Sequence, residues 1–152
     1  MKLIQNILVT GLIAGSLDIV AAIFILAGGD AAGILKYVAS GVFGPAALKG
    51  ESQMVAYGLI FHFAIAMSWT ALYFLLYPKL GFVRWNKWIS GVVYGVLVWM
   101  AMNLVVLPLS KVPRGPLTWT SVLTNVLILT VCIGTPIAVL ADRHYATRED
   151  LE

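Results

Sequence analysis

Four apolar runs constrain the fold of this chain more than any other feature of its sequence. They extend over residues 5–27, 53–77, 88–108 and 118–141. At about 1.5 Å of rise per residue, each run is long enough as an α-helix to cross the hydrocarbon core of a bilayer. Because backbone polar groups in lipid must be hydrogen-bonded within the segment, we expect four transmembrane helices. Gly134 and Pro136 are expected to kink the fourth helix.

The composition is typical of an integral membrane protein. Hydrophobic residues make up 61% of the chain and charged residues 11%, whereas soluble domains carry about 25% charged residues. We therefore predict an all-α, polytopic membrane protein with its helices in an antiparallel bundle, formed by one domain over residues 1–150. The first run is too long for a signal peptide, so we expect it to be retained. The final Leu151–Glu152 is typical of a cloning scar.

The first loop is unusually apolar and predicts a short fifth helix. Ile34, Leu35 and Val38 recur at helical spacing within Ala31–Gly44, and Pro45 is expected to end the helix. A helix of this length rises only about 21 Å, which is too short to span a bilayer. We interpret it as an interfacial or re-entrant helix over one end of the bundle.

Basic residues indicate how the bundle is oriented. Four crossings put both termini on one side, and that side carries more Lys and Arg than the other, which favours both termini in the cytoplasm of a bacterial inner membrane. Aromatic residues at the end of the second run, Trp69, Tyr73 and Tyr77, are expected in an interfacial belt. The termini side holds Lys2, Lys79, Arg84, Lys87, Arg143 and Arg148, and the opposite side holds Lys36, Lys49, Lys111 and Arg114.

One strongly polar side chain occurs in each predicted span. Asp18 lies just past the middle of the first run, where a carboxylate costs about 2.5–3.5 kcal/mol on insertion scales. His62, Asn103 and Asn125 lie at similar heights in the other three runs, in the half away from the termini. Polar side chains in hydrocarbon turn inward and find partners. The sequence therefore predicts an internal polar layer made of these four residues.

Small residues predict close helix packing in the other half of the bundle. Gly11-x-x-x-Gly15 and Gly91-x-x-x-Gly95 are motifs that permit close approach of two backbones in a membrane. In the first helix, Asp18 shares the stripe of Gly11 and Gly15. We expect tight packing near the termini and a wider polar space beyond.

The polar layer has a bland interpretation beside the functional one. Asn103 and Asn125 are more often packing contacts than ligands. Three arrangements of Asp18 and His62 remain open. They form a structural pair, they form a proton-exchanging pair that titrates as a unit, or they do not meet. The intramembrane ionisable residue favours a functional use by default.

Most enzyme chemistry is excluded by the motifs that the chain lacks. It contains no P-loop, Rossmann glycine motif, HExxH or nucleophile elbow. Cys132 is the single cysteine, so neither an internal disulfide nor a multi-cysteine metal site is available. A metal at Asp18 and His62 would have too few strong ligands. We expect no enzyme, no cofactor, no metal and no nucleic-acid partner.

The order of features resembles the YagU-like family of small bacterial inner-membrane proteins. The matching features are the stretch from Gly11 to Gly15, His62 in the second helix, Gly91-x-x-x-Gly95 in the third, and a following loop with Pro108, Pro113 and Pro116. The resemblance implies a location rather than a mechanism, because that family has no settled activity.

The sequence leaves two functions open. In the first, the protein is a small transporter or channel-like protein, with Asp18 accepting a proton or cation, His62 as its titrating partner and Asn103 and Asn125 as neutral ligands. The segment Ala31–Gly44 would act as a lid, and four helices are few for a transport path, which favours a homodimer in the lipid bilayer. In the second, the protein is structural or accessory, and its polar layer only locks the helices together. A cavity that reaches Asp18 favours the first.

Overall fold

The computed structural model describes residues 2–79, 85–113, 115–116 and 118–149. The expected scar at Leu151–Glu152 lies outside the described residues, as do Arg84 and Arg114 from the count of basic residues. The side chain of Arg148 is likewise outside that description.

Four long apolar helices and one shorter apolar helix make up the described chain, which confirms the all-α prediction. All four long helices are long and apolar enough to cross a membrane. The short helix α2 is followed by a 3₁₀ turn over Pro45–Lys49. The helices are α1 (Leu3–Leu26), α2 (Ala31–Phe43), α3 (Ser52–Lys79), α4 (Lys87–Leu109) and α5 (Trp119–Ala146).

Short polar side chains start several of these helices by satisfying backbone donors that have no partner within the helix. The Asp30 side chain accepts from the Gly33 amide at the start of α2, and the Asn86 side chain accepts from the Trp88 and Ile89 amides at the start of α4. Helix α2 ends at Phe43 and is capped by Gly44, whose φ of 77° suits a residue without a Cβ atom. The last helical residue therefore lies two residues before Pro45, the residue that the sequence predicts to end the helix.

The polar tail remains helical, whereas the sequence predicts the last apolar run to end at Ala141. The helical backbone continues beyond the apolar span of α5, to Glu149. Its side chains pack against α3, since Tyr145 donates to the Phe74 carbonyl over 2.8 Å and His144 is buried. These tertiary contacts stabilise the helical conformation at His144 and Tyr145.

The end of the bundle that carries the termini, called here the terminal end, is closed by aromatic rings and an ion pair. Tyr73 and Tyr77 are 3% and 4% exposed, so both rings pack inside the bundle. The Asp142 carboxylate accepts from the Tyr77 hydroxyl over 2.9 Å and from Lys87 Nζ over 3.1 Å. These contacts join α3, α4 and α5 at one level.

Loss of this ion pair is expected to destabilise the bundle modestly. We expect Asp142→Asn to lower the free energy of unfolding by about 1 kcal/mol, because the pair is only half-buried and therefore partly screened by solvent. A double-mutant cycle with Lys87→Met, followed by thermal unfolding in detergent, isolates the coupling energy. Lys79→Met, at an exposed lysine of the same end, serves as the control. A coupling energy of zero would contradict the assignment.

Helices α4 and α5 pack backbone against backbone through glycines. A Cβ atom added to Gly91 would lie 2.8 Å from the Thr135 Cα, and one added to Gly95 would overlap the Thr130 backbone. Gly134 of α5 faces both Gly91 and Gly95. Such close approach requires small residues on both helices.

Helix α1 packs on α3 through the other glycine pair. A Cβ atom on Gly15 would lie 3.0 Å from the Phe63 ring and 3.1 Å from the Ala66 Cβ. One on Gly11 would overlap the Met67 sulfur. The neighbours here are side chains, so this contact has more freedom to adjust than the crossing of α4 and α5.

Three of the spanning helices contain a π-helical turn, at Ala22–Leu26, Met102–Val106 and Leu129–Gly134. Two of the turns are followed by Pro108 and Pro136. A proline ring clashes with the carbonyl four residues earlier, and in both helices that carbonyl belongs to the π turn. The expected disturbance near Gly134 and Pro136 therefore takes the form of a π turn.

Candidate functional site

A cavity of about 900 Å³ lies between the helices and is partly open to its surroundings. It extends from the middle of the bundle to the loop end, which is the end opposite the termini and carries α2. Residues from all five helices line it. The four residues of the predicted polar layer, Asp18, His62, Asn103 and Asn125, are all among them.

His62 is held by a hydrogen bond between helices. Its Nε2 lies 2.8 Å from the Gly15 carbonyl oxygen on α1, and the side chain is buried. A carbonyl only accepts, so Nε2 carries the proton in this bond, and a neutral ring then has Nδ1 as an acceptor. Gly15 stands one helical turn before Asp18, so this bond brings His62 to the part of α1 that carries the carboxylate.

Asp18 lines the cavity without a direct partner. No hydrogen bond or ion pair to its carboxylate is formed by the residues that the structure describes, and the side chain is half-buried. The two groups expected to pair therefore share one cavity, but neither a direct hydrogen bond nor an ion pair joins them.

Asn103 and Asn125 each bond to their own helix. Asn103 Nδ2 donates to the Trp99 carbonyl over 3.0 Å, and Asn125 Nδ2 donates to the Ser121 carbonyl over 2.7 Å. Neither bond connects two helices, which differs from the packing role that amides often have in membranes. Within the described chain, no donor reaches either amide oxygen, so both remain acceptors at the cavity.

The three π turns lie around this cavity. A π turn adds a residue to one helical turn, which changes the direction of the side chains that follow, and such turns are frequent at functional sites. Each of the three turns contributes to the lining, although sequence periodicity gave no sign of them. Their lining residues are Ala22 and Leu26, then Met102, Asn103 and Val106, then Leu129 and Ile133.

Aromatic residues of the lining were missed by sequence reasoning. Trp69 lines the cavity together with Tyr37. Trp69 follows His62 by seven residues, which places both on one face of α3, and this spacing was the available signal. Because tryptophan is common at membrane interfaces, Trp69 was assigned to an interfacial belt instead of to the face of His62.

Helix α2 covers the loop end of the cavity. Tyr37, Val38 and Gly41 are part of the lining. The Gly41 carbonyl accepts from the Lys111 amide over 2.9 Å, which ties α2 to the segment after α4. On the other side α2 packs against α3, where Gly58 leaves room for the backbone of α2. The predicted lid segment therefore forms one wall of the cavity.

The model of a protein family of unknown function, DUF6789, matches residues 5–151. The chain belongs to this family. The match to DUF6789 does not confirm the resemblance to the YagU-like family. Comparisons with curated proteins and with solved structures give no match. For this DUF6789 protein, a functional proposal therefore rests on the cavity and its polar groups.

Proposed function

We propose that the protein is a small transporter or channel-like protein of the bacterial inner membrane. Its cavity binds a proton, an ion or a small polar solute. Asp18 is the acceptor of the proton or cation, and His62 is its titrating partner. Asn103 and Asn125 supply neutral oxygen ligands, and α2 acts as a lid.

The observation that carries the proposal is the access of the cavity to Asp18. A carboxylate in a membrane span is costly and marks functional sites by default. Here it borders a cavity of about 900 Å³, and no donor among the described residues satisfies it. A carboxylate with a purely structural role would be expected to accept hydrogen bonds from neighbouring helices.

The structural alternative is less well supported by the hydrogen bonds of the polar layer. A layer that locks the bundle needs bonds between helices. Of the four residues, His62 makes one such bond, to the Gly15 carbonyl, whereas Asn103 and Asn125 bond within their own helices. Three of the four side chains could therefore change without removing a link between helices that the described residues make.

Orientation and assembly complete the proposal. The excess of Lys and Arg on the side of the termini favours both termini in the cytoplasm, which makes the loop end face outward. Four spans are few for a transport path, so a homodimer is the assembly that we propose.

Flux measurements test the proposed function. Parent protein and Asp18→Asn are reconstituted in liposomes, and proton and monovalent cation flux are followed under an imposed membrane potential. We expect the variant to fall to the level of protein-free liposomes, because a neutral amide cannot accept the proton or the charge. The change is nearly isosteric, so folding is expected to persist, and thermal unfolding in detergent checks this.

Asp30→Asn is the matched control for the flux experiment. Asp30 is exposed at the start of α2, outside the cavity lining, and Asn caps a helix as well as Asp does. Its flux should equal that of the parent. Absence of flux in the parent, with Asp18→Asn changing only the melting temperature, would instead support the structural alternative.

A further inference from the structure

We propose that the ligand of the cavity is an organic monocation, with an ammonium or phosphonium charge carried on an apolar body. This inference rests on the proposed function and names the class of solute that the Asp18 site takes.

The size of the cavity argues for a ligand larger than an inorganic ion. Pockets of about 300–1,000 Å³ hold drug-sized molecules, and this cavity measures about 900 Å³. A metal cation needs several oxygen ligands that converge in one shell. Within the part of the chain that the structure describes, no three His, Cys, Asp or Glu side chains form a group that could hold a metal ion. An inorganic ion would occupy only a small part of the cavity, whereas an organic ligand can fill it.

The charges of the lining argue for a single positive charge on the ligand. Asp18 is the one acidic residue among the described lining residues, and none of them is Lys or Arg. Among the described lining residues, the Asp18 carboxylate is therefore the only acidic group, with no Lys or Arg to offset it. A monocation neutralises that carboxylate, whereas an anion would meet no Lys or Arg among the lining residues that the structure describes.

The unsatisfied polar groups are mainly acceptors. The Asp18 carboxylate accepts no hydrogen bond from the described residues. The amide oxygens of Asn103 and Asn125 accept none from them either, since each amide donates through its nitrogen to a carbonyl of its own helix. His62 uses its Nε2 proton on the Gly15 carbonyl. Acceptors around one carboxylate suit an ammonium group, which brings donors and no acceptor.

The walls suit an apolar body attached to that charge. Most of the lining consists of aliphatic side chains, and Trp69 and Tyr37 add aromatic surface, which attracts cations as well as apolar groups. A hydrated inorganic cation gains little from such walls. A phospholipid with an amine headgroup is less suited, because its phosphate would meet no Lys or Arg in the described lining.

Binding of two isosteric probe ions of opposite charge tests the proposal. Protein in lipid-free detergent is dialysed against radiolabelled tetraphenylphosphonium or tetraphenylborate, with protein-free micelles as the reference. We expect the parent to bind the phosphonium at least about tenfold more tightly than the borate. In Asp18→Asn, phosphonium affinity should fall by at least about tenfold. Asp30→Asn should bind as the parent does.

Each other outcome of this experiment overturns the proposal. Equal binding of the two probes, or phosphonium binding that survives Asp18→Asn, would show that charge at Asp18 does not select the ligand. Displacement of the phosphonium by short-chain phosphatidylethanolamine, but not by a soluble alkylammonium, would point to a lipid. If the phosphonium does not bind while proton flux still depends on Asp18, the ligand class is wrong and the proposed function stands.

Discussion

Gly134→Ala is expected to prevent α4 and α5 from packing in their present arrangement. The added Cβ atom would overlap the Gly91 carbonyl and would lie 2.7 Å from the Gly95 amide nitrogen and 2.9 Å from its Cα. All three are backbone atoms of another helix, so only a displacement of that helix relieves the clash. Overpacking typically costs 1–3 kcal/mol, and we expect about 3 kcal/mol here because no side chain can move aside.

Thermal unfolding and size-exclusion chromatography in detergent measure this effect. Gly115→Ala is the control, because a Cβ atom there meets no atom of the described residues within 4 Å. We expect the control to match the parent and Gly134→Ala to melt at a clearly lower temperature or to aggregate. A Gly134→Ala protein as stable as the parent would refute the close crossing of α4 and α5.

Gly58→Ala is expected to release α2 and leave the spanning helices assembled. Its Cβ atom would overlap the Leu35 carbonyl group, again a backbone contact, and would lie 3.1 Å from the Leu35 Cα. Helix α2 is shorter than the four spanning helices and can move away, so the cost falls on its docking to α3. We expect hydrogen exchange in Ala31–Phe43 to become at least about tenfold faster, since a loss of 1.4 kcal/mol changes an opening equilibrium tenfold.

The matched control for this experiment lies in α2 itself. Gly41→Ala adds the same atom where the nearest neighbour, the Ser110 Cβ, is 3.8 Å away, which is an ordinary contact. Exchange in α2 should stay at the level of the parent in this variant, and exchange in α4 and α5 should stay unchanged in both variants. Equal exchange of α2 in Gly58→Ala and the parent would mean that α2 does not depend on this contact.

The helices were predictable because bilayer thickness fixes their length. The number of residues from each helix end also gave the heights of Asp18, His62, Asn103 and Asn125, which is why all four lie on one cavity. Their hydrogen bonds were not predictable, because the choice between a partner across helices and the carbonyl four residues earlier depends on side-chain geometry. Sequence periodicity assumes one helical repeat throughout and therefore cannot detect a π turn.

The polar tail shows a second limit of sequence reasoning. Asp142 and Tyr145 follow the last apolar run and resemble residues of a solvated end. The partners of Asp142, Tyr77 and Lys87, are 65 and 55 positions away in the chain, and the Phe74 carbonyl that accepts from Tyr145 is 71 positions away. Contacts over such separations are set by the tertiary fold, and a single sequence offers no direct sign of them.

The contrast between the two ends of the bundle has a consequence for how α3 would tilt. The hydrogen bond from Tyr77 to Asp142 holds α3 at the terminal end, so a tilt of this helix would turn about Tyr77. The stretch of α3 from Tyr77 back to His62 is about 22 Å long at 1.5 Å per residue. A tilt of about 5° about Tyr77 would then displace His62 by about 2 Å. This is enough to change hydrogen-bond distances in the cavity while the terminal end keeps its contacts.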